Sequence, residues 1–212
     1  MKSITKIILS AILAVVFLFT CIFVTASLAF GLWLNTYSPV VGKTLVATFT
    51  VSELKEDEGG KYIDVTYQPY IQQSAFNYLF KPERGSLAGD KQDFKLYGDS
   101  VHIGGPVVQL HSGLVLFNFQ TIYKITNIYG RYNLDVDAEN TRIITSNFEV
   151  NNGIDGIWQL IADSEDSWPT NMFVNSAFLS TPAPIPSVKS QNEQKTYNLY
   201  VTATGFIPER IN

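Results

Sequence analysis

The chain has 212 residues with a formal net charge of −4, and 46% of its residues are hydrophobic. All 19 acidic residues and all but two of the 15 basic residues follow residue 34, so this larger part of the chain is acidic. Its acidity argues against nucleic acid as a partner and against attachment to anionic lipid by charge alone. The single cysteine, Cys21, lies before residue 34, so the larger part has no disulfide and no thiol chemistry.

Residues 7–34 contain no charged side chain. As a helix this segment would extend about 42 Å, whereas the hydrocarbon core of a bilayer is about 30 Å thick. We therefore predict a transmembrane helix over 7–34 that stays in the lipid bilayer as a signal-anchor. Trp33 and Tyr37 stand where aromatic side chains commonly line the membrane interface.

The charges that flank this segment predict its orientation. Lys2 and Lys6 precede it, whereas the downstream flank is acidic beyond Lys43. The positive-inside rule then places residues 1–6 in the cytoplasm. We expect a short linker over 35–42 and one extracytoplasmic, β-rich domain over 43–212.

Two alternative interpretations of the N-terminus leave the same domain outside the cytoplasm. A cleaved secretory signal would use the small residues Ser27 and Ala29 at its cleavage site, but the hydrophobic regions of such signals run to only about 7–15 residues. Lipid attachment at Cys21 is disfavoured by its neighbours Phe19 and Thr20. The length of the segment favours an uncleaved anchor.

The domain has the composition of β-strands, with Tyr, Phe, Val, Ile and Thr between turns rich in Gly and Pro. Apolar and polar residues alternate most regularly over 43–54 and 122–128, as in half-buried strands. The predicted strands are 43–54, 61–70, 76–80, 101–110, 114–119, 122–128, 143–150, 173–179 and 196–203.

Three features interrupt this pattern. Gly104-Gly105-Pro106 predicts a bulge or a barrel corner, and Gly130-Arg131-Tyr132 predicts a turn. The apolar positions within 154–161 follow a helical period that places Trp158 against the sheet, with Asp155 as the N-cap. We therefore predict a mainly β fold: an N-terminal transmembrane helix followed by an antiparallel β-barrel or sandwich-like domain with one short helix.

Several short motifs follow one another in the second half of the chain. They are Gly98-Asp99-x-Val101, Tyr123-x-Ile125-x-x-Ile128-x-Gly130-Arg131-Tyr132, Trp158, Trp168, Val174-Asn175-Ser176-Ala177 and Tyr200-Val201-x-Ala203-x-Gly205-Phe206-Ile207. In this order they resemble a family of uncharacterised bacterial proteins with one N-terminal membrane segment. Members of that family are often labelled automatically as cation or multidrug efflux pumps.

The resemblance implies a single-pass protein of the bacterial inner membrane with a periplasmic domain, and it carries no established activity. The chain departs from the family in lacking tryptophan over 108–119 and in a more polar loop over 182–194. The efflux label does not follow from one apolar helix, because a pump needs several helices with polar groups at depth.

Candidate metal-binding residues are few. His102 and His111 are the only histidines, and their odd spacing places them on opposite faces of one strand unless a bulge shifts the register. A zinc site needs three or four converging ligands, so we predict no metal site. Asp135, Asp137 and Glu139 alternate like the start of a calcium loop, but the required glycine and closing glutamate are missing, and we predict a solvated acidic loop.

No serine lies in a G-x-S-x-G motif, and no phosphate-binding or dinucleotide-binding glycine motif is present. We predict no catalytic residue and no cofactor. The candidate ligand-binding residues are Arg131, Tyr129 and Tyr132, because a guanidinium among aromatic rings can bind a carboxylate or phosphate. The alternative is structural: Arg131 pairs with a nearby acid and holds the turn.

Two functions fit these observations. The first is a membrane-anchored, non-enzymatic envelope protein whose domain binds another envelope or membrane protein as an accessory part of a complex. The second is an envelope ligand-binding barrel or enzyme that acts on a sugar or lipid through aromatic side chains. Exposed Tyr and Phe clustered in one concave pocket would favour the second function, and their even burial would count against it.

Overall fold

The computed structural model describes residues 2–83, 85–111, 120–132, 146–164, 170, 174–180, 182, 185–187 and 194–211, and residues 2–5 by their backbone alone. The described part contains three helices and thirteen strands. In chain order they are α1 (Lys2–Leu34), β1 (Ser38–Val40), β2 (Thr44–Asp57), β3 (Gly60–Gln72), α2 (Ala75–Phe80), β4 (Ser86–Ala88), β5 (Gln92–Tyr97), β6 (Ser100–Leu110), β7 (Thr121–Tyr123), β8 (Asn127–Arg131), β9 (Asn147–Glu149), α3 (Gly156–Asp163), β10 (Val174–Ser180), β11 (Ile185–Pro186), β12 (Lys195–Thr202) and β13 (Gly205–Arg210).

The strands form two antiparallel sheets. The first has the order β1-β7-β6-β8-β9, and β10 and β11 pair with the opposite edge of β6. The second has the order β13-β12-β2-β3-β4, and β5 also pairs with β3. Neither sheet closes on itself within the described residues, so the prediction of a mainly β, antiparallel domain is confirmed in its sandwich-like form.

The main core lies between the two sheets. The alternating apolar residues of β2 and β12 supply Phe49, Val51 and Leu199, which are fully buried there. They face Val101 and Ile103 of β6 across the sandwich. Removal of such side chains from water is the main favourable contribution to folding, and the period of two puts one face of each strand in this core.

The central strand β6 runs through Gly104-Gly105-Pro106 without a break, so the bulge predicted within it is wrong. The irregularity lies in the facing chain. Val107 pairs with Tyr123, and Gly104 pairs with Asn127. Residues 124–126 therefore lie opposite only two residues of β6, Gly105 and Pro106, as in a β-bulge.

This extra residue divides the predicted strand 122–128 into β7 and β8, and the prediction of one continuous strand is wrong. Gly105 accommodates the bulge, because a Cβ at this position would overlap the carbonyl oxygen of Lys124. Gly105 is therefore required because the bulged backbone at Lys124 comes too close for a side chain at this position.

Helix α1 is long and apolar enough to span a membrane over Lys6–Leu34, and an 18-residue window within it has a mean hydropathy of 3.1. Its last turn and the residues directly after it enter the domain: Trp33 is 2% exposed and Tyr37 is 1% exposed. The expectation that these two side chains line the membrane interface is therefore wrong, because protein covers them. The expected linker 35–42 contains β1, which pairs with β7.

A second core, here called the anchor core, packs on the outer face of the first sheet. It joins the end of α1 to both short helices and to the sheet. Its members are Trp33, Leu34, Tyr37, Ala75, Tyr78, Val108, Leu110, Ile122, Trp158 and Val174.

Residues 76–80 are helical, so the strand predicted there is wrong. The Ser74 hydroxyl accepts a hydrogen bond of 3.2 Å from the Asn77 N–H and caps the helix. Ala75 and Tyr78, three residues apart, are buried on one side of α2. Capping and burial in the anchor core override the strand propensity of this aromatic segment.

The helix predicted near residue 158 is confirmed as α3. Asp155 is its N-cap, and its carboxylate accepts a hydrogen bond of 2.8 Å from the Trp158 N–H. Trp158 is buried against the outer face of the first sheet in the anchor core.

Most other predicted strands correspond to observed ones. The predictions 43–54, 61–70, 101–110, 173–179 and 196–203 match β2, β3, β6, β10 and β12, and β9 lies within 143–150. Strand β13 was not predicted, and Gly205, at φ 121°, ends the turn that leads into it. The predicted strand 114–119, the acidic residues 135–139 and Trp168 lie outside the described residues.

Candidate functional site

The chain crosses from the second sheet to the first at Gly98 and Asp99, between β5 and β6. Arg131, at the end of β8, packs against this crossing. Gly98 has a φ of 143°, and a Cβ there would lie 2.6 Å from the backbone nitrogen of Arg131. The carbonyl oxygen of Arg131 accepts hydrogen bonds from the Ser100 hydroxyl at 2.8 Å and from the Asp99 N–H at 3.1 Å. Two of the sequence motifs therefore meet at one structural corner.

The turn predicted at 130–132 is wrong, because Gly130 and Arg131 are the last residues of β8. Gly130 lets β8 approach β5, since a Cβ on it would overlap the carbonyl oxygen of Tyr97. Arg131 fixes this corner through its backbone. Among the described residues no carboxylate lies within ion-pair distance of its guanidinium.

A cavity of about 470 Å³, here called the distal groove, lies on the outer face of the first sheet beside β8 and β9. Tyr129 and Arg131 both line it, and they point to the same side of β8 because they are two residues apart. The hydroxyl of Tyr132 instead donates a hydrogen bond of 3.0 Å to the carbonyl of Lys61, in the second sheet. The structure thus brings together two of the three predicted residues.

His102 belongs beside this groove, although sequence analysis did not connect it with Arg131. It faces Tyr129 across β6 and β8, and the two rings stack with centroids 4.9 Å apart and planes at 9°. Only the register of the two strands could have revealed this pair. This stacking holds the ring of Tyr129 in place.

Burial lowers the pKa of His102, and the charge of Arg131 lowers it further. The imidazole is therefore neutral near pH 7, and Arg131 supplies the positive charge of the groove. The rim is apolar: Leu179 is 50% exposed, and Ile154 is also exposed. A guanidinium, a phenol and an apolar rim together fit an acidic side chain flanked by apolar ones.

A second cavity of about 590 Å³ opens beside residues 35–38, directly after α1, and is here called the juxtamembrane cleft. Its wall is rich in tyrosines and side-chain amides. These are Tyr37, Tyr67, Tyr70, Tyr123, Asn35, Gln72, Gln92, Asn151 and Asn152. Burial raises the pKa values of Tyr67 and Tyr123 above the usual range, so both stay neutral hydrogen-bonding groups.

Lys124 supplies the cation of the juxtamembrane cleft, and its side chain is only 8% exposed. Its ammonium lies 3.9 Å from a carboxylate oxygen of Asp155. The same oxygen accepts a hydrogen bond of 2.9 Å from the Tyr37 hydroxyl. Asp155 therefore compensates a buried charge, which would be costly to leave unpaired, and links it to the residues that follow α1.

The floor of the cleft includes two residues in an uncommon backbone conformation. Asn151 and Asn152 have φ values of 53° and 61°. Asn151 donates a hydrogen bond of 2.8 Å from its amide to the carbonyl of Ile125, which accounts for its own conformation. Asparagine tolerates the left-handed region better than most residues do.

Among the described residues no three His, Cys, Asp or Glu side chains come together in a way that could hold a metal ion. Comparisons with protein-family models, with curated proteins and with solved structures gave no match. The resemblance to the bacterial proteins labelled as efflux pumps stays a prediction. The meeting of Gly98-Asp99 with Gly130-Arg131 assigns those two motifs to a structural corner.

Proposed function

We propose that this protein is a membrane-anchored, non-enzymatic envelope protein whose domain binds another envelope or membrane protein. In this proposal α1 crosses the bacterial inner membrane with residues 1–6 in the cytoplasm and the sandwich in the periplasm. The burial of Trp33 and Tyr37 in the anchor core is the observation that carries it. An anchor helix that is packed into the core holds the domain in one orientation relative to the membrane. A domain that presents a binding surface to a membrane partner requires such a fixed orientation, and a flexible linker would not supply it.

The distal groove is the surface that we assign to the partner. Leu110 belongs to the anchor core, whereas Ser100, at the other end of β6, pairs with Arg131. These ends are separated by about 30 Å along the strand. The Arg131 end of the groove is thus far from the end of α1, where a partner in the envelope can reach it, whereas its other end reaches Ile154, next to Asp155.

Photo-crosslinking in native membranes tests this assignment. A photoreactive residue at Leu179, on the rim, should give a specific adduct that weakens at least about tenfold when Arg131→Ala is added, as expected for loss of about 1.4 kcal/mol or more. Ile207, 39% exposed on β13 of the second sheet, is the matched control position. Equal adducts at both positions, or an adduct at Leu179 that Arg131→Ala leaves unchanged, would contradict the proposal.

The juxtamembrane cleft supports a second candidate function, the binding of a sugar or a lipid headgroup. Side-chain amides and tyrosines are suited to hydroxyl-rich ligands, because they donate and accept hydrogen bonds beside flat apolar rings. Lys124 adds one cation for a phosphate or carboxylate on the same ligand.

Thermal shift measurements with glycerol phosphate and with short oligosaccharides test this second function. A ligand of the cleft should raise the melting temperature, and Lys124→Met should remove the shift given by glycerol phosphate. Lys55→Met, which changes an exposed lysine on β2, is the control. A shift that survives Lys124→Met would place the ligand elsewhere.

A further inference from the structure

Helix α2 is rich in aromatic and apolar residues. Its sequence is AFNYLF, with Asn77 as the only polar residue. Ala75 and Tyr78 are buried in the anchor core, but Phe80 is 76% exposed. Its ring packs edge-on against that of Phe76, with centroids 5.2 Å apart. The exposed ring of Phe80 therefore calls for an apolar environment, beside the exposed amide of Asn77.

The open side of α2 lies next to the end of α1. A Cβ at Gly31 would lie 3.1 Å from the ring of Phe76, so this ring packs directly on the α1 backbone. Cys21 marks the middle of the uncharged segment, and Gly31 lies about 15 Å further along the helix. Half the thickness of a hydrocarbon core is also about 15 Å. The ring of Phe76 is therefore level with the boundary between the hydrocarbon and the headgroups.

We propose that α2 is an interfacial helix, and that Phe80 inserts into the outer-leaflet boundary of the bilayer that α1 crosses. This inference rests on the membrane-spanning part of the proposed function and is independent of the partner and of the cleft ligand. Phe76 and Phe80 then take the interfacial position that the sequence suggested for Trp33, which is buried in the domain.

The charges next to α2 match this position. Lys81 follows Phe80 directly and forms a 2.5 Å ion pair with Glu83, and the two side chains are 80% and 59% exposed. A switch from an exposed aromatic ring to solvated charges within one turn is typical of a segment at the headgroup level. We favour the lipid bilayer over a protein as the environment of Phe80. The apolar surface formed by Phe76 and Phe80 continues directly into the exposed apolar surface of α1.

Site-directed spin labelling of the full chain in phospholipid nanodiscs tests the proposal. The native Cys21 carries the first label. In the Cys21→Ser background, Phe80→Cys and Leu179→Cys carry the others, and Leu179 is an exposed apolar residue at the distal groove. Relaxation by oxygen, which partitions into lipid, is compared with relaxation by a water-soluble nickel chelate.

We expect oxygen to dominate at residues 21 and 80 and the nickel chelate to dominate at 179. A lipid-like label at 21 with a water-like label at 80 would overturn the interfacial position of α2 while leaving the anchor intact. Water-like labels at both would overturn the anchor itself.

Phe80→Trp gives a second measurement that keeps an aromatic ring in α2. Its added fluorescence, relative to the parent chain, should be quenched by lipids brominated near the top of the acyl chain. Unquenched fluorescence would contradict insertion.

Discussion

The hydroxyl of Tyr37 donates a hydrogen bond of 2.9 Å to the carboxylate of Asp155, which lies 118 residues later in the chain. The same carboxylate caps α3 through the Trp158 N–H at 2.8 Å and lies 3.9 Å from the buried ammonium of Lys124. One acidic side chain thus ties the residues that follow α1 to the surface helix α3 and to the first sheet. Burial and the negative charge of Asp155 both raise the pKa of Tyr37, so the phenol remains a donor.

Tyr37→Phe should lower the free energy of unfolding by about 1–3 kcal/mol, because it removes one hydrogen bond to a charged group. Asp155→Ala should cost more, about 3 kcal/mol or above, since it also removes a helix cap and leaves Lys124 unpaired. Denaturant titration in mild detergent, followed by circular dichroism, measures both. Asp64→Ala, in an exposed ion pair with Lys55, should leave the midpoint unchanged. Equal losses for Tyr37→Phe and Asp155→Ala would show that Asp155 acts through Tyr37 alone.

Gly105→Ala should destabilise the sandwich by about 1–3 kcal/mol or more, because the added Cβ overlaps the carbonyl oxygen of Lys124 and the bulge must move. Gly156→Ala is the matched control in the first turn of α3. Nothing lies within 4 Å of its added Cβ, and alanine favours a helix over glycine by about 1 kcal/mol. Melting temperatures should therefore move in opposite directions. A loss of stability in both variants would argue against the crowding at Gly105.

The helix cap at Asp155 and the bulge opposite Gly105 show how far the sequence could predict the structure. The alternation in β2 and β12 and the capped helical period at Asp155 are local patterns, and the predictions based on them are confirmed. The bulge opposite Gly105 depends on a facing strand, so the glycines could signal an irregularity but not the chain that contains it. Residues 76–80 have strand propensity, and their helix depends on packing against the end of α1. The pairing of His102 with Tyr129 likewise needs the register of β6 and β8.

The stability of the domain should fall as the pH drops below about 6.5, the usual pKa of histidine. The pKa of His102 is lowered in the folded state by burial and by Arg131. The unfolded chain therefore binds a proton first, and each step toward acid favours unfolding until the folded pKa is passed. The stabilisation is fully present above the unfolded pKa. Melting temperatures measured between pH 7.5 and 5 test the direction of this slope.

His102→Phe separates this residue from the carboxylates, which also respond to acid. Phenylalanine keeps an aromatic ring to stack on Tyr129 and has no proton to bind. The variant should lose part of the slope between pH 7 and 5 while retaining most of its stability at pH 7.5. His111→Phe, just beyond the end of β6, is the control for general effects of replacing histidine. A slope that is unchanged in His102→Phe would contradict the assignment.

The end of α1 should belong to the folded unit rather than to the membrane span alone. A fragment that starts at residue 30 keeps Trp33, Leu34 and Tyr37, whereas one that starts at residue 38 loses all three. Burial of a large apolar side chain contributes about 1.5–3 kcal/mol, so the shorter fragment should be less stable by about 5 kcal/mol. Thermal unfolding of the two fragments measures this difference.

Two point variants of the longer fragment provide the control. Trp33→Ala should lower its melting temperature strongly, since Trp33 is buried between Phe30 and Tyr37, with ring centroids 5.7 and 4.9 Å away. Leu32→Ala, on the exposed side of the same turn, should have little effect. The contrary result is that the fragment from residue 38 unfolds as cooperatively and at the same temperature as the fragment from residue 30. The end of α1 would then be a flexible attachment that contributes nothing to the fold, and the distal groove would not be held in a fixed orientation.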